Sequence, residues 1–216
     1  MVIDERVVDW VDEIRSPAAT AAFEAATHLA DYWVATAVVV VVAAALIRRR
    51  HRVAAGALAA SSFGAMAVTE LLKVAIGRER PPVETHLVEA AGFAFPSGHS
   101  SQAVACYGGL ALVTFLTTRR RVARAVAVGV AIAIALAVGV SRVYLRVHWP
   151  TDVLVGWVVG LAWLALVALA VRSRYRRSSA TMKSELSRNG RMSQVDSSSS
   201  IERPAASTSA RNSSKP

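Results

Sequence analysis

Long apolar blocks alternate with short polar ones along this chain, and the block length is its most informative feature. The apolar runs extend for about 20 residues at a time, the length a helix needs to cross a hydrocarbon core roughly 30 Å thick. Five such runs are predicted as spanning helices, over about 32–47, 53–76, 99–116, 122–140 and 151–171. Gly and Ala recur inside them, which permits close helix contact without bulky side chains. Residues 4–28 follow a different pattern. Val7, Val8, Val11 and Ile14 fall at helical spacing among Asp4, Glu5, Asp9, Asp12 and Glu13, with Trp10 in the same stretch. This predicts an amphipathic helix lying at a membrane surface. A soluble helix packed on the loops is the alternative. The expected fold class is therefore all-α: a polytopic membrane helix bundle of about five spanning helices plus an N-terminal amphipathic helix, six in all. The expected divisions are an N-terminal segment 1–28, a transmembrane domain 29–177 and a tail 178–216.

Composition supports the membrane reading. Over half of the residues are hydrophobic, 54%, yet only 6% are aromatic, and Ala and Val dominate. The formal net charge is +10, which raises nucleic acid as a partner. The placement of the charge argues against that. Arg48, Arg49, Arg50 and Arg52 separate the first two runs, Arg119, Arg120, Arg121 and Arg124 the third and fourth, and Arg172, Arg174, Arg176 and Arg177 follow the fifth. Five helices place all three clusters on one side, and the positive-inside rule makes that side cytoplasmic. The N-terminal segment and the loops 77–98 and 141–150 then face outward, as expected of a plasma-membrane protein. The segment from Ser178 to Pro216 is rich in Ser, Arg and Asn and is expected to be a disordered cytoplasmic tail. The first 30 residues lack the basic start and apolar stretch of a cleavable signal peptide. The single cysteine, Cys106, lies in an apolar run and reads as a packing residue.

The two outer loops carry the chemistry. One contains Lys73, then Arg80-Pro81, then Pro96-Ser97-Gly98-His99; the other contains Ser141-Arg142, His148 and Asp152. A charge at the end of a span, as at Lys73, requires a partner or water. Arg80 and Arg142 offer planar forks of donors suited to phosphate oxygens. Ser97 and Gly98 precede a helix whose first amides have no internal partner, which makes an anion site. Ser97 also reads as a plain helix cap. His148 and Asp152 are four residues apart at a helix start, with Pro150 suited to the first turn. Asp152 there can accept a hydrogen bond from one ring nitrogen of His148 and leave the other as a nucleophile. His99 can supply a proton to a leaving oxygen. Arg78 and Arg146 read as ordinary flanking charges, and His28, His51 and His86 as surface residues. The loops hold too few carboxylate, Cys or His side chains for a metal cage, and their Lys and Arg would repel a cation. No metal and no cofactor are expected.

The spacing Lys-x6-Arg-Pro, Pro-Ser-Gly-His and Ser-Arg-x5-His-x3-Asp resembles the three-part signature of the type 2 phosphatidic acid phosphatase superfamily. Every signature position is filled, and the resemblance covers about residues 30–171. It implies a metal-independent phosphatase acting on lipid phosphates or diphosphates. It further implies that His148 attacks phosphorus to form a phosphohistidine, that Asp152 orients His148, and that His99 protonates the leaving group. Lys73, Arg80, Ser97, Gly98 and Arg142 would bind the phosphoryl oxygens. Expected substrates are polyprenyl diphosphate carriers, phosphatidic acid and phosphatidylglycerol phosphate. The Ala, Val and Arg bias favours the carrier lipid slightly. A phosphotransferase using the same residues, and a non-enzymatic lipid-phosphate binding or transport protein, are the alternatives. The bilayer and a lipid phosphate are the partners expected, with no nucleic acid; the sequence leaves the oligomeric state open.

Overall fold

The computed structural model describes residues 2–199, and within them the regular structure is helical. Seven α-helices follow in order: α1 (Val2–Glu13), α2 (Pro17–His28), α3 (Tyr32–Arg48), α4 (Arg52–Ile76), α5 (Gly98–Thr117), α6 (Arg121–Tyr144) and α7 (Pro150–Ser199). A short 3-10 turn, Val83–Thr85, interrupts the loop between α4 and α5. The chain divides into a compact unit, Met1–Val171, and a second, Arg172–Pro216. Of the tail expected to be disordered, the backbone of 178–199 continues α7, and residues 200–216 lie outside the described residues.

Among the described residues four helices are long and apolar enough to cross a membrane: Arg52–Ile76, Gly98–Thr117, Arg121–Tyr144 and Pro150–Arg177. The first expected span is different. α3 has 17 residues, a length of about 25 Å at the usual rise. It passes only together with α2, from which it is bent by 47°. The chain is thus a multi-pass membrane protein with four candidate spans, or five where the bent α2–α3 pair counts as one.

The N-terminal segment also departs from expectation: it is two helices, not one. Ser16 accepts the Ala19 amide at 3.3 Å as N-cap of α2, and Pro17 at the first helical position cannot continue α1. Both helices pack on the end of α6. Val11 is buried against Val143, Tyr144 and Val147, the rings of Phe23 and Tyr144 lie 4.4 Å apart, and the Tyr144 hydroxyl accepts the Ser16 amide at 3.1 Å. α1 therefore packs on the end of α6 and the loop beyond it, a placement compatible with both expected readings.

A second core joins α3, α4 and α5 through Ala35, Val39, Leu58, Cys106 and Val113. Glycines bring α7 against α5. A β-carbon at Gly156 would lie 2.6 Å from the Ser97 carbonyl oxygen, and one at Gly160 would lie 2.7 Å from that of Ser101. Large apolar side chains such as Leu71, Val74, Val122 and Val158 remain exposed on the outer faces of the spans, as lipid-facing residues do.

Candidate active site

The helix directions bring one end of α4, α5, α6 and α7 together, and all the candidate residues lie there. α4 ends at Gly77, whose φ of 66° is the left-handed conformation that glycine adopts freely. The turn sends Arg78 and Arg80 back over the bundle end. Ser97 caps α5: its hydroxyl accepts the Ser100 amide at 3.4 Å and the Ser100 hydroxyl at 2.9 Å. The Ser97 side chain is thus engaged as a cap, while Gly98 and His99 open the first turn. Lys73 reaches the same place: its Nζ lies 3.3 Å from where a β-carbon on Gly98 would be and 3.1 Å from Glu70 Oε1.

His148 is buried at the centre, and Asp152 behind it is fully buried. Arg80 Nη1 lies 3.1 Å from His148 Nε2. A guanidinium only donates, so Nε2 presents its lone pair and the ring proton resides on Nδ1. That Nδ1 lies 3.5 Å from Asp152 Oδ2, longer than a formed hydrogen bond. Burial first, then the charges of Arg142, Arg80, Lys73 and His99, hold the His148 pKa well below the ordinary histidine value. The ring is therefore neutral at pH 7, with a lone pair on Nε2. Arg80 is fixed by three carbonyls: Nε donates to Gly92 at 2.9 Å, Nη2 to Ala91 at 2.9 Å and Nη1 to Val147 at 2.6 Å. Arg142 is buried, with Nη1 donating to Thr27 Oγ1 at 2.7 Å. Its Nε is buried without a hydrogen-bond partner among the described residues.

Several participants were not singled out in the sequence. His99 Nε2 lies 3.0 Å from Asp31 Oδ1, and the other oxygen of Asp31 lies 2.7 Å from His28 Nδ1. Asp31 stands at the N-cap position of α3 but makes no capping hydrogen bond; its carboxylate serves the two histidines instead. His28, read as a surface residue, is thereby tied to the site. Arg78, read as a flanking charge, donates through Nη1 to Asp152 Oδ1 at 2.6 Å and through Nη2 to Asp4 Oδ2 at 2.9 Å. Thr27, His28 and Asp31 all come from the α2–α3 bend. A carboxylate placed immediately before an apolar run was the available signal for Asp31; nothing in the local pattern marks Asp4.

Residues 54–176, more than half of the chain, match the profile of the PAP2 superfamily. The chain belongs to the PAP2 superfamily. It is 35% identical over 105 residues to phosphatidylglycerophosphatase B of Bacillus subtilis, a match covering 46% of this chain and 49% of that protein. It is 35% identical over 119 residues to lipid A 1-phosphatase of Rhizobium etli, covering 50% of this chain and 45% of that one. The chain thus spans about half the length of the curated relatives it matches. The crystal structure of a transmembrane PAP2-type phosphatidylglycerolphosphate phosphatase from Bacillus subtilis superposes with a TM-score of 0.70 at 29% identity, covering 77% of this chain and 83% of that one. Aquifex aeolicus LpxE shares the fold, with a TM-score of 0.58 at 19% identity and coverage of 75% and 92%. As a PAP2 fold, the bundle carries its candidate chemistry in the segments around Lys73–Arg80, Ser97–His99 and Arg142–Asp152, all inside or bordering the helices that build the shared core.

Proposed function

We propose that this PAP2 protein hydrolyses lipid phosphates through a phosphohistidine formed on His148. The observation that carries the proposal is a neutral, buried imidazole ringed by Lys73, Arg80 and Arg142, with a carboxylate behind it. Nε2 attacks phosphorus. Asp152 Oδ2 takes a hydrogen bond from Nδ1–H as positive charge develops on the ring, a contact that shortens from its 3.5 Å when substrate orders the site. The three cations and the first amides of α5 hold the phosphoryl oxygens. His99, held through Nε2 by Asp31, presents its other nitrogen to the leaving oxygen. Water then attacks the phosphohistidine, and His99 takes back a proton, which restores both histidines.

A lipid substrate is supported by a groove of about 620 Å³ between α5, α6 and α7, lined by Val104, Leu112, Phe115, Ala135, Trp157 and Leu161. Its upper residues follow His99 and Asp152 by five positions along α5 and α7, so an acyl or prenyl chain lying in it starts beside the reacting phosphate. The relatives' names put phosphatidylglycerol phosphate first among substrates to try, beside polyprenyl diphosphate and phosphatidic acid. The arginine clusters support a site on the outer face, with the tail cytoplasmic.

The experiment is phosphate release by the detergent-purified protein from a panel of lipid phosphates and a water-soluble glycerol phosphate, in excess chelator. Lipids should be turned over and His148→Ala should be inactive. Loss of all activity in chelator, restored by Mg²⁺, or an active His148→Ala protein, would contradict the proposal.

A further inference from the structure

We propose that Asp4, on the N-terminal helix α1, is a positioning residue of the phosphoryl-transfer site, and that the row Asp4–Arg78–Asp152 sets the negative charge presented to His148. The inference rests on the reading of His148 as nucleophile and extends it to a segment outside the three-part signature.

Asp4 is 2% exposed, although it sits on a helix rich in charge. Both of its oxygens are committed. Oδ1 accepts the Thr151 amide at 3.1 Å, and Oδ2 accepts the Thr151 hydroxyl at 2.8 Å and Arg78 Nη2 at 2.9 Å. The Thr151 amide is one of the first-turn donors of α7, which no residue within that helix can satisfy. Asp4 therefore caps, from another helix, the turn that carries Asp152. Burial alone would push the Asp4 carboxyl upward, but its hydrogen bonds from Thr151 and Arg78 and the charge of Arg78 outweigh it, so its pKa lies below the usual carboxylate value. Asp4 is ionised at neutral pH.

Arg78 Nη1 donates to Asp152 Oδ1 at 2.6 Å and to Thr151 Oγ1 at 2.7 Å, while the Trp149 amide donates to Asp152 Oδ2 at 2.9 Å. Asp152 is thus gripped on both oxygens and cannot rotate away from His148. A lone guanidinium so close would also cancel the charge through which Asp152 stabilises the developing imidazolium. Asp4 offsets that effect. Two carboxylates about one guanidinium leave one net negative charge behind the nucleophile, with Asp152 still held in place. The packing of Val11 against Val143 and Val153 keeps α1 over this row.

The test uses the full chain in detergent, measuring kcat and KM on a lipid phosphate, the rate of acid-labile phosphoenzyme formation, and inhibition by vanadate. Asp4→Asn keeps the shape and removes the charge. It should lower kcat and phosphoenzyme formation by about 10–100-fold while KM changes by less than about threefold. Asp4→Glu should recover part of the loss. Asp4→Asn combined with Arg78→Gln restores a net negative charge at Asp152, so the double variant should be faster than Asp4→Asn alone. A double variant no faster than Asp4→Asn, with vanadate inhibition retained in both, overturns the charge argument. A wild-type kcat for Asp4→Asn, with His148→Ala inactive, overturns the role of Asp4 alone. An active His148→Ala protein overturns the nucleophile reading instead.

Discussion

Asp31 gives the proposed mechanism its sharpest test, because its contribution depends on the leaving group. Asp31→Asn removes the charge 3.0 Å from His99 Nε2 while leaving an oxygen able to accept from the ring. A hydrogen bond to a charged group contributes about 1.5–3 kcal/mol. The Asp31 side chain is 35% exposed and that of His99 28%, so solvent screening reduces the figure to about 1–2 kcal/mol. That corresponds to roughly 5–30-fold in any step that needs a protonated His99. A lipid alkoxide leaves only with a proton, whereas nitrophenolate leaves without one. Asp31→Asn should therefore lower kcat/KM on a lipid phosphate by roughly 5–30-fold and on a nitrophenyl phosphate by less than about threefold, where enzyme phosphorylation limits both. His99→Ala should show the same selectivity, enlarged to about 100-fold or more on the lipid. His148→Ala should lose both substrates alike. If Asp31→Asn loses both activities equally, Asp31 and His99 position phosphate, and the proton donor is another group.

Three further outcomes follow from the geometry. Because the His148 pKa is held well below its ordinary 6.5, its ring ¹⁵N shifts should stay those of a neutral imidazole as pH falls through 6.5. The unfolded chain takes up that proton first, so this residue makes folding stability decline as pH falls from about 6.5 toward the folded-state value; a full titration near 6.5 would refute the electrostatic picture. Gly156→Ala places a methyl 2.6 Å from the Ser97 carbonyl oxygen and should cost about 1–3 kcal/mol in chemical unfolding, whereas Gly129→Ala meets nothing within 4 Å and should be neutral or slightly stabilising; equal effects would disprove the close approach of α7 to α5. In a chain carrying Cys106→Ala, Glu84→Cys should react with an impermeant thiol reagent on intact cells and Arg120→Cys only after lysis; the reverse pattern would put the site on the cytoplasmic face.

Much of the architecture was legible because a membrane restricts what a chain can do. Runs of bilayer length mark the second to fifth spans within a few residues. The polar residues that interrupt those runs at one end, Lys73, Arg80, His99, Arg142, His148 and Asp152, are the ones the fold brings together. What periodicity missed depends on long-range contact. The α2–α3 bend replaces a simple first span because Leu29–Asp31 break the helix, and that break delivers Thr27, His28 and Asp31. Asp4 and Thr151 are 147 positions apart, so no local pattern links them. Arg78 was misread for the same reason: a basic residue beside a span end reads as a flanking charge until its carboxylate partners are located.

The same cations account for two properties that would otherwise conflict. In the proposed mechanism a nucleophilic histidine must be unprotonated, yet the site must attract a dianion. Burial is the larger cause of the unprotonated His148, and the charges of Arg142, Arg80 and Lys73, proposed to attract the anion, disfavour its proton further. Arg80 does more, because its Nη1 rests on the Nε2 lone pair at 3.1 Å. In the proposed mechanism a phosphoryl oxygen, a stronger acceptor than a ring nitrogen, competes for the Nη1–H that rests on Nε2 and frees the lone pair, while Gly92, Ala91 and Val147 still hold the guanidinium. Substrate binding then adds negative charge beside the ring and favours the positive charge that develops on it during attack. In the proposed mechanism His148 is thus shielded by Arg80 until the phosphoryl group binds that guanidinium, and Asp152 need close its hydrogen bond to Nδ1 only at that moment.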